Sequence, residues 1–160
     1  MSFTPTVLTD AYISINSNVL SDHGNKVEIP IKVEDKDATT FGQTWHVRRG
    51  GLKDGNLNIT FVQDYVAANL DEIMWALLGT VVPFEIRATS GTVTTSNPKY
   101  TGNILVEQWK PIIGKVGDLV EEDVSFPTSG TVTSLRKPLS QPMKAKRSGP
   151  SLGTSPCPSR

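Results

Sequence analysis

Apolar side chains along this chain fall mostly on every second residue, the period of a strand with one face buried. Ala11, Ile13 and Ile15 alternate with Tyr12, Ser14 and Asn16. The cleanest series is Val27, Ile29, Ile31 and Val33, set between Glu28, Pro30, Lys32 and Glu34. Pro30 has no N–H to give to a ladder, so this single strand is expected to have a free or bulged side. Leu57, Ile59 and Phe61 alternate with Asn56, Asn58 and Thr60, and Val82, Phe84 and Ile86 with Pro83, Glu85 and Arg87. Ile104 with Val106, and the segment 119–126, complete the strand signals, and Pro127-Thr128-Ser129-Gly130 ends the last of them.

The period changes once. Leu70, Ile73, Met74, Leu77 and Leu78 fall at i, i+3, i+4, i+7 and i+8, an apolar stripe on a helix. Asn69 stands where an N-cap belongs, Glu72 lies three residues on as in a capping box, and Gly79 sits at the C′ position. The Met74-Trp75 pair on this helix reads as core packing. About seven strands and one helix of about ten residues predict a mainly β fold, a β-sandwich or small barrel with one flanking α-helix.

Residues 35–55 break the pattern. They are mostly polar and glycine-rich, with Phe41, Trp45 and Val47 among the few apolar side chains, which predicts a long loop of the functional or mobile kind. Lys53-Asp54-Gly55-Asn56 reads as the turn that starts the next strand. Within this stretch His46-Val47-Arg48-Arg49-Gly50-Gly51 suggests a phosphate cradle at first sight. Such a cradle needs its glycines to open a helix, whose free N–H groups meet the anion. Here they lead into a period-2 run, so a bend feeding a strand is expected instead.

Composition places the charge. Lys+Arg and Asp+Glu both count 16, but residues 1–135 hold 10 basic and 16 acidic side chains, a net of −6. No acid follows Asp123, and Arg136, Lys137, Lys144, Lys146, Arg147 and Arg160 are all basic. Residues 136–160 contain five prolines and five serines, too little apolar surface to offset ordering entropy. The expected organisation is a β domain over 1–135 and a disordered basic tail over 136–160. The single cysteine, Cys157, excludes an internal disulfide and a Cys-based zinc site. No basic and apolar leader opens the chain and no apolar run approaches 18 residues, which predicts a soluble, cytoplasmically made protein without membrane contact.

Chemistry finds little footing, and neither catalytic residue, metal nor cofactor is expected. His23, beside Asp22, lies in Asp22-His23-Gly24-Asn25, which is turn chemistry, and His46 lies in the long loop. Glu34-Asp35-Lys36-Asp37 and Glu121-Glu122-Asp123 lack the spacing of a calcium loop and read as solvated faces. Arg48, Arg49 and Lys53 form a basic patch without interleaved aromatics. That patch and the basic tail together make a nucleic-acid-binding module the alternative reading. A carbohydrate-binding sandwich would expose a row of aromatics, whereas Trp45, Trp75 and Trp109 sit in a loop, a helix and a strand end.

Three blocks carry a family resemblance: "DATTFGQTWHVRRGGLKDGNLNITFVQDY", "LDEIMWALLGTVVPFEIRATSG" and "NPKYTGNILVEQWKPIIGKVGDLVEEDVSFPTSGTVT". In order and wording they resemble the major tail tube proteins of long-tailed bacteriophages, over about three quarters of the chain. The long loop opens D-x-T-x-F-G at 37–42, "GLKDG" feeds a strand, and "GxVGDL…V-x-F-x-x-SG" closes the match at 114–130. The basic tail departs from the pattern. The resemblance implies a structural virion protein of the tail, assembled in the bacterial host cytoplasm. Its subunits would join as hexameric rings stacked into a hollow tube, with other tail proteins as partners. Phage DNA would pass through the lumen without specific binding. It further implies that residues 35–55 dock on neighbouring subunits, with Phe41 and Trp45 as apolar anchors and Arg48, Arg49 and Lys53 facing acidic surfaces. An acidic body suits a channel that must not grip phosphates.

Overall fold

Where side chains alternate, the backbone is a strand, and the inward series closes one core. The computed structural model describes residue 5 and residues 7–136; the Pro/Ser-rich basic segment 137–160 lies outside the described residues. The chain runs β1 (Tyr12–Ile15), β2 (Asn18–Val19), a 3-10 turn at Ser21–His23, β3 (Gly24–Glu28), β4 (Ile31–Asp37) and β5 (Arg48–Val62). It continues with α1 (Leu70–Leu77), β6 (Val81–Arg87), β7 (Lys99–Leu105), β8 (Glu121–Pro127) and β9 (Thr133–Leu135). Nine strands and one helix among the described residues make a mainly β sandwich. β2 and β9 are two- and three-residue strands, too short to leave a periodic signal.

One sheet has the order β2-β1-β6-β7-β9 and the other pairs β5 with β3, β4 and β8, all antiparallel. Ile13, Ile15, Val82, Phe84, Ile86 and Ile104 from the first sheet meet Leu57, Ile59, Phe61, Val124 and Phe126 from the second, all buried. α1 seals one flank with Leu70 and Met74 buried and Ile73 and Leu77 packed against the core. Trp109 closes the same end, its ring edge-on to Phe61 with centroids 6.3 Å apart. Leu78 is the helix C-cap and is exposed, so the predicted stripe ends one residue early. Gly79 follows at φ +80°, as its C′ role requires.

The capping box is displaced. Asn69 is the N-cap residue but makes no side-chain cap bond; its Nδ2 donates instead to Asp64 Oδ2. Glu72 accepts the N–H of Ala68 at 2.7 Å, one residue before the cap. Ala68 sits at φ +63°, and that left-handed residue points its N–H back at Glu72.

Two larger corrections concern 27–55. The predicted strand from Val27 to Val33 is broken at Ile29-Pro30 into β3 and β4, because Pro30 offers no donor. Both halves nevertheless lie along β5 in one register, Glu28 opposite Asn58 and Ile31 opposite Gly55. Asn56 N–H donates to Pro30 C=O across the gap at 3.1 Å. The predicted long loop is a two-stranded ribbon, β4 against the first half of β5, and only residues 38–47 form its tip. The predicted turn at 53–56 is therefore continuous strand.

Candidate assembly surface

The ribbon leaves the body at Gly55. Gly55 C=O accepts both the N–H (2.8 Å) and the Oγ1 (3.0 Å) of Thr128, the last tie between β5 and β8 on this side. Beyond it every residue of β4, and of β5 from Arg48 to Asp54, is exposed. Only from Gly55 onward is every second residue of β5 buried. Each ribbon strand pairs with the other alone, so both outer edges carry unpaired N–H and C=O groups. A groove of about 540 Å³ runs at the ribbon's base, lined by Ile31, Leu52, Lys53 and Val132 among others.

The Gly50-Gly51 pair makes a bulge. Val33 faces Lys53 and Asp35 faces Gly50, so Gly51 and Leu52 together oppose Glu34. A Cβ on Gly51 would stand 2.9 Å from Glu34 Oε2 and 3.2 Å from its Cβ, so any other residue would push the exposed Glu34 side chain aside. These glycines bend a ribbon and cradle no anion.

Asp37 organises the tip. Its Oδ1 accepts the N–H of Thr39 at 2.8 Å and also the Thr39 hydroxyl; its Oδ2 meets His46 Nδ1 at 3.1 Å. Thr39 Oγ1 in turn accepts the N–H of Val47 at 3.0 Å, and Ala38 N–H donates to Val47 C=O at 2.8 Å. The Thr39 hydroxyl and N–H hold the Asp37 carboxyl below its ordinary value, with a smaller contribution from His46. This is the physical content of D-x-T in the sequence: the pair zips the tip at its neck. Phe41 and Trp45 then project from the tip with nothing over them, Phe41 fully exposed and Trp45 at 84%.

The three cations do not form one patch. Register sets Arg48 on the face of Asp37, Asp35 and Val33, together with Lys53, while Arg49 lies on the opposite face with Lys36 and Glu34. Arg48 is ion-paired with Asp35 and Lys36 with Glu34; both pairs are exposed and contribute little to stability. Arg49 and Lys53 make no ion pair among the described residues. The structure thus brings all five predicted contact residues onto one protrusion, Phe41 and Trp45 in its tip and Arg48, Arg49 and Lys53 in β5 on two faces.

The exposed apolar set is wider than sequence reasoning found. Ile31, Val33 and Leu52 are also exposed on the ribbon, at 50%, 53% and 81%. The alternation of Ile31 and Val33 predicts burial in the body, and Leu52 falls within the predicted long loop.

Elsewhere the ionisable groups serve the scaffold. Asp64 accepts the N–H of Val66 at 2.9 Å, the amide of Asn69, and His23 Nε2 at 3.3 Å; these bonds, led by Val66, lower its carboxyl pKa. His23 thus ties the turn before β3 to the entrance of α1. Glu122 corrects the reading of Glu121-Glu122-Asp123 as a solvated face, for its side chain is fully buried. Among the described residues no group of three His, Cys, Asp or Glu side chains is placed to hold a metal, and no helix is long and apolar enough to cross a membrane.

No protein-family model matches the chain, and no curated protein matches it either. Its fold is similar to that of a chain in a solved structure described as the virion of a native gene transfer agent particle. The TM-score is 0.63 and the identity 14%, with 79% of this chain and 95% of that chain covered.

Proposed function

We propose that the protein is a structural virion subunit that assembles with copies of itself, through the ribbon, into hexameric rings stacked as a hollow tail tube. The ribbon carries the reading. A monomer gains nothing from a two-stranded extension with free edges, a bulge to aim it and aromatic side chains at its tip, whereas a neighbour covering them gains both ladder bonds and apolar burial. The fold likeness to a chain of a gene transfer agent virion supports the same reading. Phe41 and Trp45 are the anchors, and Arg49 and Lys53 the cations free to meet acidic groups. DNA passes through the lumen unbound, because an acidic wall repels phosphates. Other tail proteins meet the tube at its ends, and the tube is assembled in the cytoplasm of a bacterial host.

Negative-stain microscopy and sedimentation of the purified protein test this. Rings or tubes of uniform diameter are expected. A protein that stays monomeric at high concentration and low salt would remove the reading. Salt-sensitive retention of DNA by such a monomer would favour the nucleic-acid-binding alternative through 46–53 and the basic segment.

A further inference from the structure

Two hydrogen-bond acceptors lie side by side where β5 ends and β8 begins. Glu122 stands opposite Phe61 in the ladder, and Gln63, two residues on from Phe61, donates its N–H to Val120 C=O at 2.9 Å. Strand parity puts Phe61, Gln63 and Glu122 on one face, with Gln63 and Glu122 as diagonal neighbours. Glu122 is fully buried, whereas Glu121 and Asp123 on either side of it are exposed.

Each side chain has one polar atom in use. Glu122 Oε1 accepts the N–H of Lys110 at 2.6 Å, and Gln63 Nε2 donates to Pro111 C=O at 3.3 Å. The remaining atoms, Glu122 Oε2 and Gln63 Oε1, are buried and have no hydrogen-bond partner. Turning the Gln63 amide over would not help, because its oxygen would then face the Pro111 carbonyl. Both oxygens have lost water, and neither can donate to the other. A single proton removes both deficits, since it makes one acceptor a donor. The pair also holds one element in place. Lys110, Pro111 and Val120 are each bonded to Glu122 or Gln63, so both ends of the excursion 110–120 hang on these two side chains. Between those ends Ile112, Val116 and Leu119 are exposed.

We propose that Glu122 is protonated in the folded subunit and donates from Oε2 to Gln63 Oε1, forming a clasp on both ends of 110–120. The surrounding charges set when the clasp opens. Asp71 of α1 adds like charge and Lys110, after β7, adds the opposite one, while β5 faces Glu122 with uncharged Phe61. Burial outweighs the Lys110 contribution and holds the carboxyl above its ordinary value. The clasp is therefore closed at low pH and opens as pH rises through that raised value. Once ionised, Glu122 repels the Gln63 oxygen, and the ends of 110–120 loosen while the sandwich stays closed.

The clasp belongs to the single subunit, so its test needs no assembly. Carbon NMR of the dilute full chain follows the side-chain carboxyl of Glu122 and the side-chain amide carbonyl of Gln63 against pH. Both signals should move together, at a midpoint above the ordinary glutamate value of about 4.3. Hydrogen-exchange protection of the Gln63 and Lys110 amides, taken against intrinsic rates, should fall about tenfold from pH 4 to pH 8, with the core amides of β5 unchanged. In Glu122→Gln the new carboxamide supplies the donor at every pH and still accepts from Lys110, so this protection should not vary with pH. Titration of Glu122 at its ordinary value would overturn the clasp. So would a Gln63 carbonyl signal that stays flat while Glu122 titrates, since a trapped water would then satisfy the amide. An equal fall of protection in Glu122→Gln would show that another group loosens the excursion, and it too would overturn the proposal.

Discussion

Glu122 accepts the backbone N–H of Lys110 at 2.6 Å from a position with no exposed surface. Its other oxygen has no partner, and neither has Oε1 of Gln63, whose N–H bonds the residue two before Glu122. Burial pushes the Glu122 carboxyl up, outweighing the Lys110 N–H and charge, and the Asp71 charge adds to the rise. An unfolded glutamate loses its proton near pH ~4.3, while the folded one keeps it to higher pH. The native state then binds more protons in that window, so stability falls as pH rises through it and stays lower above. Glu122→Gln removes the ionisation and keeps the acceptor for Lys110. Its Tm should exceed that of the wild type at pH 8, with the gap closing by pH 4. Parallel Tm curves across this range would show that Glu122 ionises without cost.

The tip should respond in the opposite sense. Asp37 has a lowered pKa, so its stabilising contribution is present above the ordinary aspartate value and is lost as pH falls through the depressed one. Protection factors for the Thr39 and Val47 amides, taken against the intrinsic exchange rate at each pH, should fall on acidification while the sandwich stays protected. Asp37→Ala should reproduce that loosening at neutral pH. Unchanged exchange in Asp37→Ala would mean that the ribbon ladder alone holds the tip.

Helix α1 divides between core and surface at adjacent residues. Met74 is buried, and Met74→Ala should cost about 2–5 kcal/mol in denaturant titration. Trp75 is exposed, and Trp75→Ala should alter monomer stability by no more than about 0.5 kcal/mol. A larger loss from Trp75→Ala would place the indole in the subunit's own packing rather than on its open surface.

Replacing both Phe41 and Trp45 by serine should leave circular dichroism and melting of the monomer unchanged, since neither covers the core. Tubes should be lost in microscopy, because no other large aromatic tops the tip. Normal tubes from the double variant would make the tip a passive connection, and the anchors would have to be sought among Ile31, Val33 and Leu52.

What the chain determined by itself was the half-buried part. Leu57, Ile59 and Phe61 or Val82, Phe84 and Ile86 alternate because one face of their strands meets the core, so burial writes itself into the order of residues. The same holds for the helix with its closing glycine. The tertiary structure alone decided where that pattern has no meaning. Residues 48–54 are a strand exposed on both faces, so no alternation was selected, and glycines and charges read as loop. Glu122 lay at the inward parity of Val124 and Phe126, yet its charge argued for water; only the Lys110 N–H and the packed end of the sandwich make the inward position tenable. Likewise, Phe41 and Trp45 were legible as apolar residues in a polar stretch. That they stand at the tip of a paired ribbon depends on β4 lying in register along the first half of β5, a pairing that no alternation in the sequence announces.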